Sequence, residues 1–165
     1  MKYWFTADYH LGHFNIIRYC NRPFKTLEQM NTAIIRNHNQ RVKPEDIVFH
    51  IGDFCFRNSS NKDNGVRINY LEWESKLNGK IIHIQGNHDK NNSTKTIIQG
   101  LLIKYGGRDI YCVHNPGHFN PDYEINFVGH SHNLWKTQQR EDTLLINVGI
   151  DVNGFMPRTF EELIK

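Results

Sequence analysis

The chain has 165 residues, a length that suits one domain, residues 1–165, around a single sizeable core. Twenty Lys and Arg against seventeen Asp and Glu leave a net charge of +3, compatible with a phosphate-bearing partner without selecting one. Cys20, Cys55 and Cys112 form no CxxC pair, which speaks against a disulfide framework or a zinc knuckle, and no leader-like or membrane-length apolar run occurs, so a cytoplasmic protein without a membrane partner is expected.

Residues 3–7 read as a short buried strand that runs into the polar cluster Asp8 to His13. A helix is expected over 15–20 and a break at Pro23, after which Thr26 with Gln29 forms a capping box for a longer helix to about residue 42. Residues 47–51 are a second apolar strand ending at Gly52-Asp53, so a strand followed by an acid has now occurred twice. A polar loop covers 57–65 and a helix 66–77, closed by Asn78 and Gly79. A third strand, 81–85, ends at Gly86-Asn87-His88-Asp89. Short strands then come at 101–105, 110–114, 125–129 and 144–148. Strand and helix alternate in the first half and strands alone occupy the second, an order that predicts two packed sheets with helices outside them.

Ten histidines are the unusual feature of the composition, and most stand beside Asp, Asn or Gly. Five loops, each just past a predicted strand, hold Asp8 with His10, then Asp53, Asn87 with His88, His114, and finally His130 with His132. If the 8–10 segment is extended, alternate side chains share a face, and 130–132 repeats the spacing. Imidazole and carboxylate without thiolate suit zinc, manganese or iron. Seven such donors exceed what one catalytic ion needs, whereas two ions roughly 3.5 to 4 Å apart can clamp a phosphate and activate water. The donor count therefore favours a dinuclear centre.

Asp8-x-His10, Gly52-Asp53, Gly86-Asn87-His88-Asp89, His114 and Gly129-His130-x-His132 resemble the motif series of the calcineurin-like metallophosphoesterases. All five blocks stand in order and span about three quarters of the chain. The resemblance implies an α+β fold with α/β/β/α layers, two packed mixed β-sheets flanked by helices. It also implies two divalent ions (Mn, Zn, Fe or Ni): Asp8, His10 and His132 on one, Asn87, His114 and His130 on the other, and Asp53 bridging. His88 would then protonate the leaving oxygen or stabilise the transition state, oriented by Asp89. The expected activity is hydrolysis of a phosphodiester or small phosphate ester, with a nucleotide or nucleic acid as a narrower version of the same reading. A phosphomonoesterase or protein-phosphatase-like activity is the alternative, and a non-catalytic metal-binding scaffold the rival from another class.

Each residue also has a plainer reading. Asp8 and His10 could cap a helix, and His114, next to Asn115-Pro116, could be a core histidine. Arg57 and Arg22 are candidates for gripping phosphate and His13 for touching substrate or leaving group, yet both arginines read equally well as solvated charges. Tyr9 points away from its neighbouring ligands and could line a pocket. His50 and His83 are expected as satisfied core histidines, and His38 lies on a helix without a partner motif.

Overall fold

In the computed structural model, which describes residues 1–56, 69–89 and 96–165, three apolar segments form the first sheet. Strands β1 (Tyr3–Thr6), β2 (Ile47–Ile51) and β3 (Lys80–Ile84) pair in parallel in the order β1-β2-β3, with Phe5 opposite Phe49 and Ile51 opposite Ile84. Parallel strands need long crossovers, which carry the helices between them. The first crossover holds α1 (Phe14–Tyr19) and α2 (Leu27–Arg41), and the second holds α3 (Tyr70–Glu74). The loop expected over 57–65 and the start of the helix expected over 66–77 lie outside the described residues. The described part of that helix is only five residues long, capped by Asn69.

Helix α2 begins as its sequence suggests: the Thr26 hydroxyl accepts from Gln29 N at 3.1 Å. The Gln29 side chain, however, accepts from Lys25 N rather than closing the reciprocal bond to Thr26. Its Met30 and Ile34 bury completely against Tyr9, Leu11 and Trp73, the core on the helical side of the sheet.

The second sheet is mixed. Strands β4 (Gly100–Tyr105), β5 (Arg108–Val113), β6 (Ile125–Val128), β7 (Thr137–Arg140) and β8 (Thr143–Asn147) lie in the order β4-β5-β6-β8-β7. Strands β5, β6 and β8 run parallel while β4 and β7 are antiparallel edges. Strand β7, Thr-Gln-Gln-Arg, has no apolar pattern to reveal it, as befits a polar edge that discourages pairing with another chain. The closing helix α4 (Phe160–Leu163) is a further addition to the expected elements. A capping box of Thr159 and Glu162 starts it, and Phe160 and Leu163 seal the end of the sandwich.

The sheets face each other across Phe5, Phe49, Ile51, Ile110, Phe127 and Ile146. Phe5 and Phe127 meet edge to face, with centroids 4.8 Å apart. Burial of each such side chain contributes about 1.5–3 kcal/mol. The chain beyond β8 crosses back to the first sheet, where Ala7 bridges Gly149 and Phe5 bridges Arg158. Those bridges align the C-terminal ends of the parallel strands of both sheets along one edge. The architecture is thus the α+β, two-sheet arrangement expected, with the first sheet parallel throughout its described strands. Among the described residues no helix is long and apolar enough to cross a membrane, and Cys20, Cys55 and Cys112 are buried and form no disulfide.

Candidate metal centre

Each loop of interest leaves the C-terminal end of a parallel strand: Asp8 and His10 after β1, Asp53 after β2, Asn87 and His88 after β3. His114 comes after β5, and His130 and His132 after β6. Backbone bonds interlock these loops, Asp8 N to Gly52 O and His10 N to Asp53 O, both at 3.0 Å. Asp8, His10, Asp53, His130 and His132 all adopt positive φ, between 44° and 67°. The 8–10 and 130–132 segments are therefore not extended, contrary to the alternation expected for them. Left-handed residues turn the side chains inward instead, a conformation costly for non-glycine residues and typical of sites that use the strain.

The side chains gather into two neighbouring sets, linked by His10 and Asp53. Donor atoms of Asp8, His10 and His132 lie within 4.8 Å of one another, as do those of Asp53, His114 and His130. Asp53 stands between them, its Oδ2 3.5 Å from His10 Nε2 and 3.3 Å from His114 Nε2. Asn87 Oδ1 lies 3.1 Å from His114 Nε2 and 2.9 Å from His130 Nδ1, so an amide oxygen and two imidazole nitrogens converge. His114 is thus drawn into the cluster rather than left in the core. The donor chemistry fits divalent cations, and one atom argues for them directly: His10 Nε2 is buried with no hydrogen-bond partner among the described residues. A buried, unpaired nitrogen is expensive unless a cation satisfies it.

Partners behind the cluster aim the rings. His114 Nδ1 donates to Ile51 O at 2.9 Å, which leaves Nε2 facing the cluster. His13 lies behind His10, the two Nδ1 atoms 3.2 Å apart, and its ring stacks on Phe56 at 4.0 Å. His132 Nδ1 meets Asp151 Oδ2 at 2.9 Å. Asp151 is gripped in turn by Arg22, Nε to Oδ1 at 2.8 Å and Nη2 to Oδ2 at 2.9 Å. The remaining Arg22 donors go to Asp8 O, Tyr9 O and Met30 Sδ. The Arg22 side chain has 0 % exposure, which corrects its reading as a phosphate-gripping residue: all its N–H groups are committed inside the protein. Asp151 escaped the sequence reading, although Gly149-x-Asp151 after β8 repeats the strand, glycine and acid succession seen at Gly52-Asp53.

Glycines give the cluster room. A Cβ on Gly52 would collide with the His114 ring, and one on Gly86 with the Asp53 carboxylate. Asp89 accepts from Asp53 N, Phe54 N and Gly86 N at 2.8 to 3.1 Å, tying the second and third loops together. That task differs from the orientation of His88 expected of Asp89 from the sequence. His88 is half-buried beside His10, with centroids 5.1 Å apart, and its backbone N–H donates to Asp53 Oδ1 at 2.9 Å. Arg57 lies outside the described residues.

Among the described residues, Tyr9 lines neither of the clefts beside the centre. It is buried beneath the cluster with its hydroxyl 2.8 Å from His38 Nδ1. His50 is a core residue as expected but not a satisfied one, both its ring nitrogens lacking partners among the described residues, whereas His83 is only partly buried, its Nδ1 without a partner among the described residues. His83 Nε2 does reach Glu74 at 2.8 Å.

The carboxylates draw positive charge to the centre. Burial works against a charged His114, yet the hydrogen bond and charge of Asp53, with the charge of Asp8, hold it up at about 9. His132 likewise resists its own burial and, through Asp151 and Asp8, is raised to about 10. Burial raises Asp8 to about 6, whereas burial and then Arg22 push His10 well below the usual imidazole range, leaving its lone pair free for a cation.

Two packed sheets whose strand ends aim histidines, carboxylates and an amide at one point define a metallophosphoesterase type of site. The chain belongs to the calcineurin-like phosphoesterase superfamily, whose domain model matches residues 1–152. It is 34% identical over 175 residues to an uncharacterized protein of Methanocaldococcus jannaschii, covering 99% of this chain and 90% of that one. A protein of unknown function from Aquifex aeolicus shares the fold, with a TM-score of 0.71, 24% identity and coverage of 98% and 97%.

Proposed function

We propose that this chain is a phosphodiesterase working through two divalent ions, one held by Asp8, His10 and His132, the other by Asn87, His114 and His130, with Asp53 shared. The placement of Asp53 Oδ2 within 3.5 Å of a nitrogen from each set carries the reading, because a single carboxylate so placed can serve two ions. Bound there, the ions would supply Lewis acidity to phosphoryl oxygens and lower the pKa of water. The chain's own residues do the rest. Asp8 and Asp53 offset only part of the charge of two divalent ions, so the centre stays attractive to phosphate. His88, with a ring nitrogen within 4.8 Å of donor atoms of His10 and Asp53, would give a proton to the leaving oxygen.

Two clefts flank the centre, and neither is lined by Lys or Arg among the described residues. A diester carries two substituents that need space, and a cleft on each side of the centre offers one for each, so the diester is favoured. The test is hydrolysis of bis-p-nitrophenyl phosphate by chelator-stripped protein to which Mn²⁺ is returned, alongside metal content. Activity that depends on metal, two ions per chain, and loss of both in Asp53→Ala are expected. Full turnover in chelator, or one ion per chain at saturation, would sink the proposal.

A further inference from the structure

The larger cleft beside the centre lies between α1 and the loop 130–134, with a volume of about 360 Å³. Its floor is His88 and His132, and its mouth carries two large apolar side chains in water: Tyr19 is 65% exposed and Leu134 80% exposed. Exposed apolar groups are ordinary when scattered, but these two line the same cleft, continuous with the metal-facing histidines. The walls are pinned. Asn133 Nδ2 donates to Cys20 O at 3.0 Å across the cleft, and Asn147 Nδ2 donates to His132 O and Trp135 O, both at 2.9 Å. The Tyr19 ring stands edge-on to His13 at 6.3 Å, with the Arg18 guanidinium 5.8 Å from its centroid.

The cleft on the other side differs in kind: about 180 Å³, bordered by Gln85, Asn87, Gln99, Asn115 and His118. The centre therefore has a roomy flank with an apolar and aromatic rim and a smaller amide-rich one.

We infer that the Tyr19–Leu134 cleft is a subsite for a planar aromatic ring attached to the phosphate, the amide-rich cleft taking a smaller polar substituent. The inference rests on the phosphodiesterase reading and deepens it by naming the substrate class: an ester with one aromatic substituent, a nucleobase or an aryl group. Aromatic and branched side chains at a rigid rim hold a flat ring by stacking and apolar contact, which is tolerant of its identity.

Equilibrium binding to Mn²⁺-loaded protein separates the subsite from the activity it rests on, with inorganic phosphate, ribose 5-phosphate, AMP and phenyl phosphate as probes. AMP, phenyl phosphate or both are expected to bind at least about tenfold more tightly than ribose 5-phosphate, and which of them does so distinguishes base from aryl. A Tyr19→Ser, Leu134→Ser double variant should bring AMP and phenyl phosphate down to the ribose 5-phosphate affinity, with metal content at the wild-type level. Phosphate binding without any advantage for the aromatic probes, or an advantage that survives in the double variant, overturns the subsite and leaves the phosphodiesterase reading standing. Failure of all four probes to bind overturns the subsite, and the hydrolysis of bis-p-nitrophenyl phosphate decides the phosphodiesterase reading separately.

Discussion

Asp151 holds His132 by a 2.9 Å contact to its Nδ1, and Arg22, wholly buried, holds Asp151 by two bonds. A carboxylate behind a metal-bound histidine sets its tautomer and raises its basicity, so on the proposed two-ion reading Asp151→Asn should weaken the ion on His132 by about 10–100-fold while sparing the ion on His114. Metal titration should show one of the two sites displaced to higher concentration. Equal loss at both would mean that Asp151 supports the fold rather than the ring. Asp151→Ala, which strips Arg22 of its counter-charge, should cost about 3–5 kcal/mol in denaturant unfolding.

Gly52 and Gly107 share a left-handed backbone, φ +85° and +73°, but differ in their surroundings. Nothing stands within 4 Å of a Cβ built on Gly107, whereas one on Gly52 strikes His114. Gly107→Ala should cost about 1–2 kcal/mol and leave metal content intact. Gly52→Ala should cost more, about 3 kcal/mol, and also lower metal content by displacing His114. Thermal melts with metal analysis compare the pair, and equal effects would contradict the packing argument.

His38 is buried as the neutral ring, accepting from the Tyr9 hydroxyl and donating to Asn78 O. Burial lowers it to about 4, against the opposing pull of the Asn78 carbonyl. Its unfolded pKa is near 6.5, so in the interval between the two values the unfolded chain binds a proton that the folded one refuses, and stability falls as pH drops from about 6.5 to about 4. The full loss is about 3 kcal/mol. His38→Gln should flatten the stability profile over that interval in chelator-treated protein, as read by urea unfolding.

Asp46 runs the other way. Its carboxylate accepts from Lys2 N, Trp4 Nε1 and Lys43 N, and these bonds override the effect of burial and hold it at about 2. With an unfolded value near 3.9, the stabilisation is present above about pH 4 and fades as pH falls through about 2. Asp46→Asn should therefore unfold more easily than the parent at pH 7, and the gap should close near pH 2.

The strands β1, β2 and β3 were legible because short apolar runs ending in Gly, Asp or Asn admit few other readings. Strand β7 was not, since Thr137 to Arg140 owes its strand to pairing with β8 and not to any pattern of its own. The candidate ligands were legible as types in order, but an extended backbone is not what makes Asp8 and His10 face one point. Their left-handed φ is imposed by the bonds from the 52–53 loop, a long-range cause that no local spacing encodes.

The sequence by itself determined the candidate donors as residue types, their placement at strand ends and the membership of the chain in its superfamily, because side-chain chemistry and strand punctuation are local properties. Only the tertiary structure decided which donors share Asp53, that Arg22 serves Asp151 and not a phosphate, and that Asp151 belongs behind His132. Residues 22, 132 and 151 lie on three different segments, and distance in the chain says nothing of distance in space until the sheets close on each other.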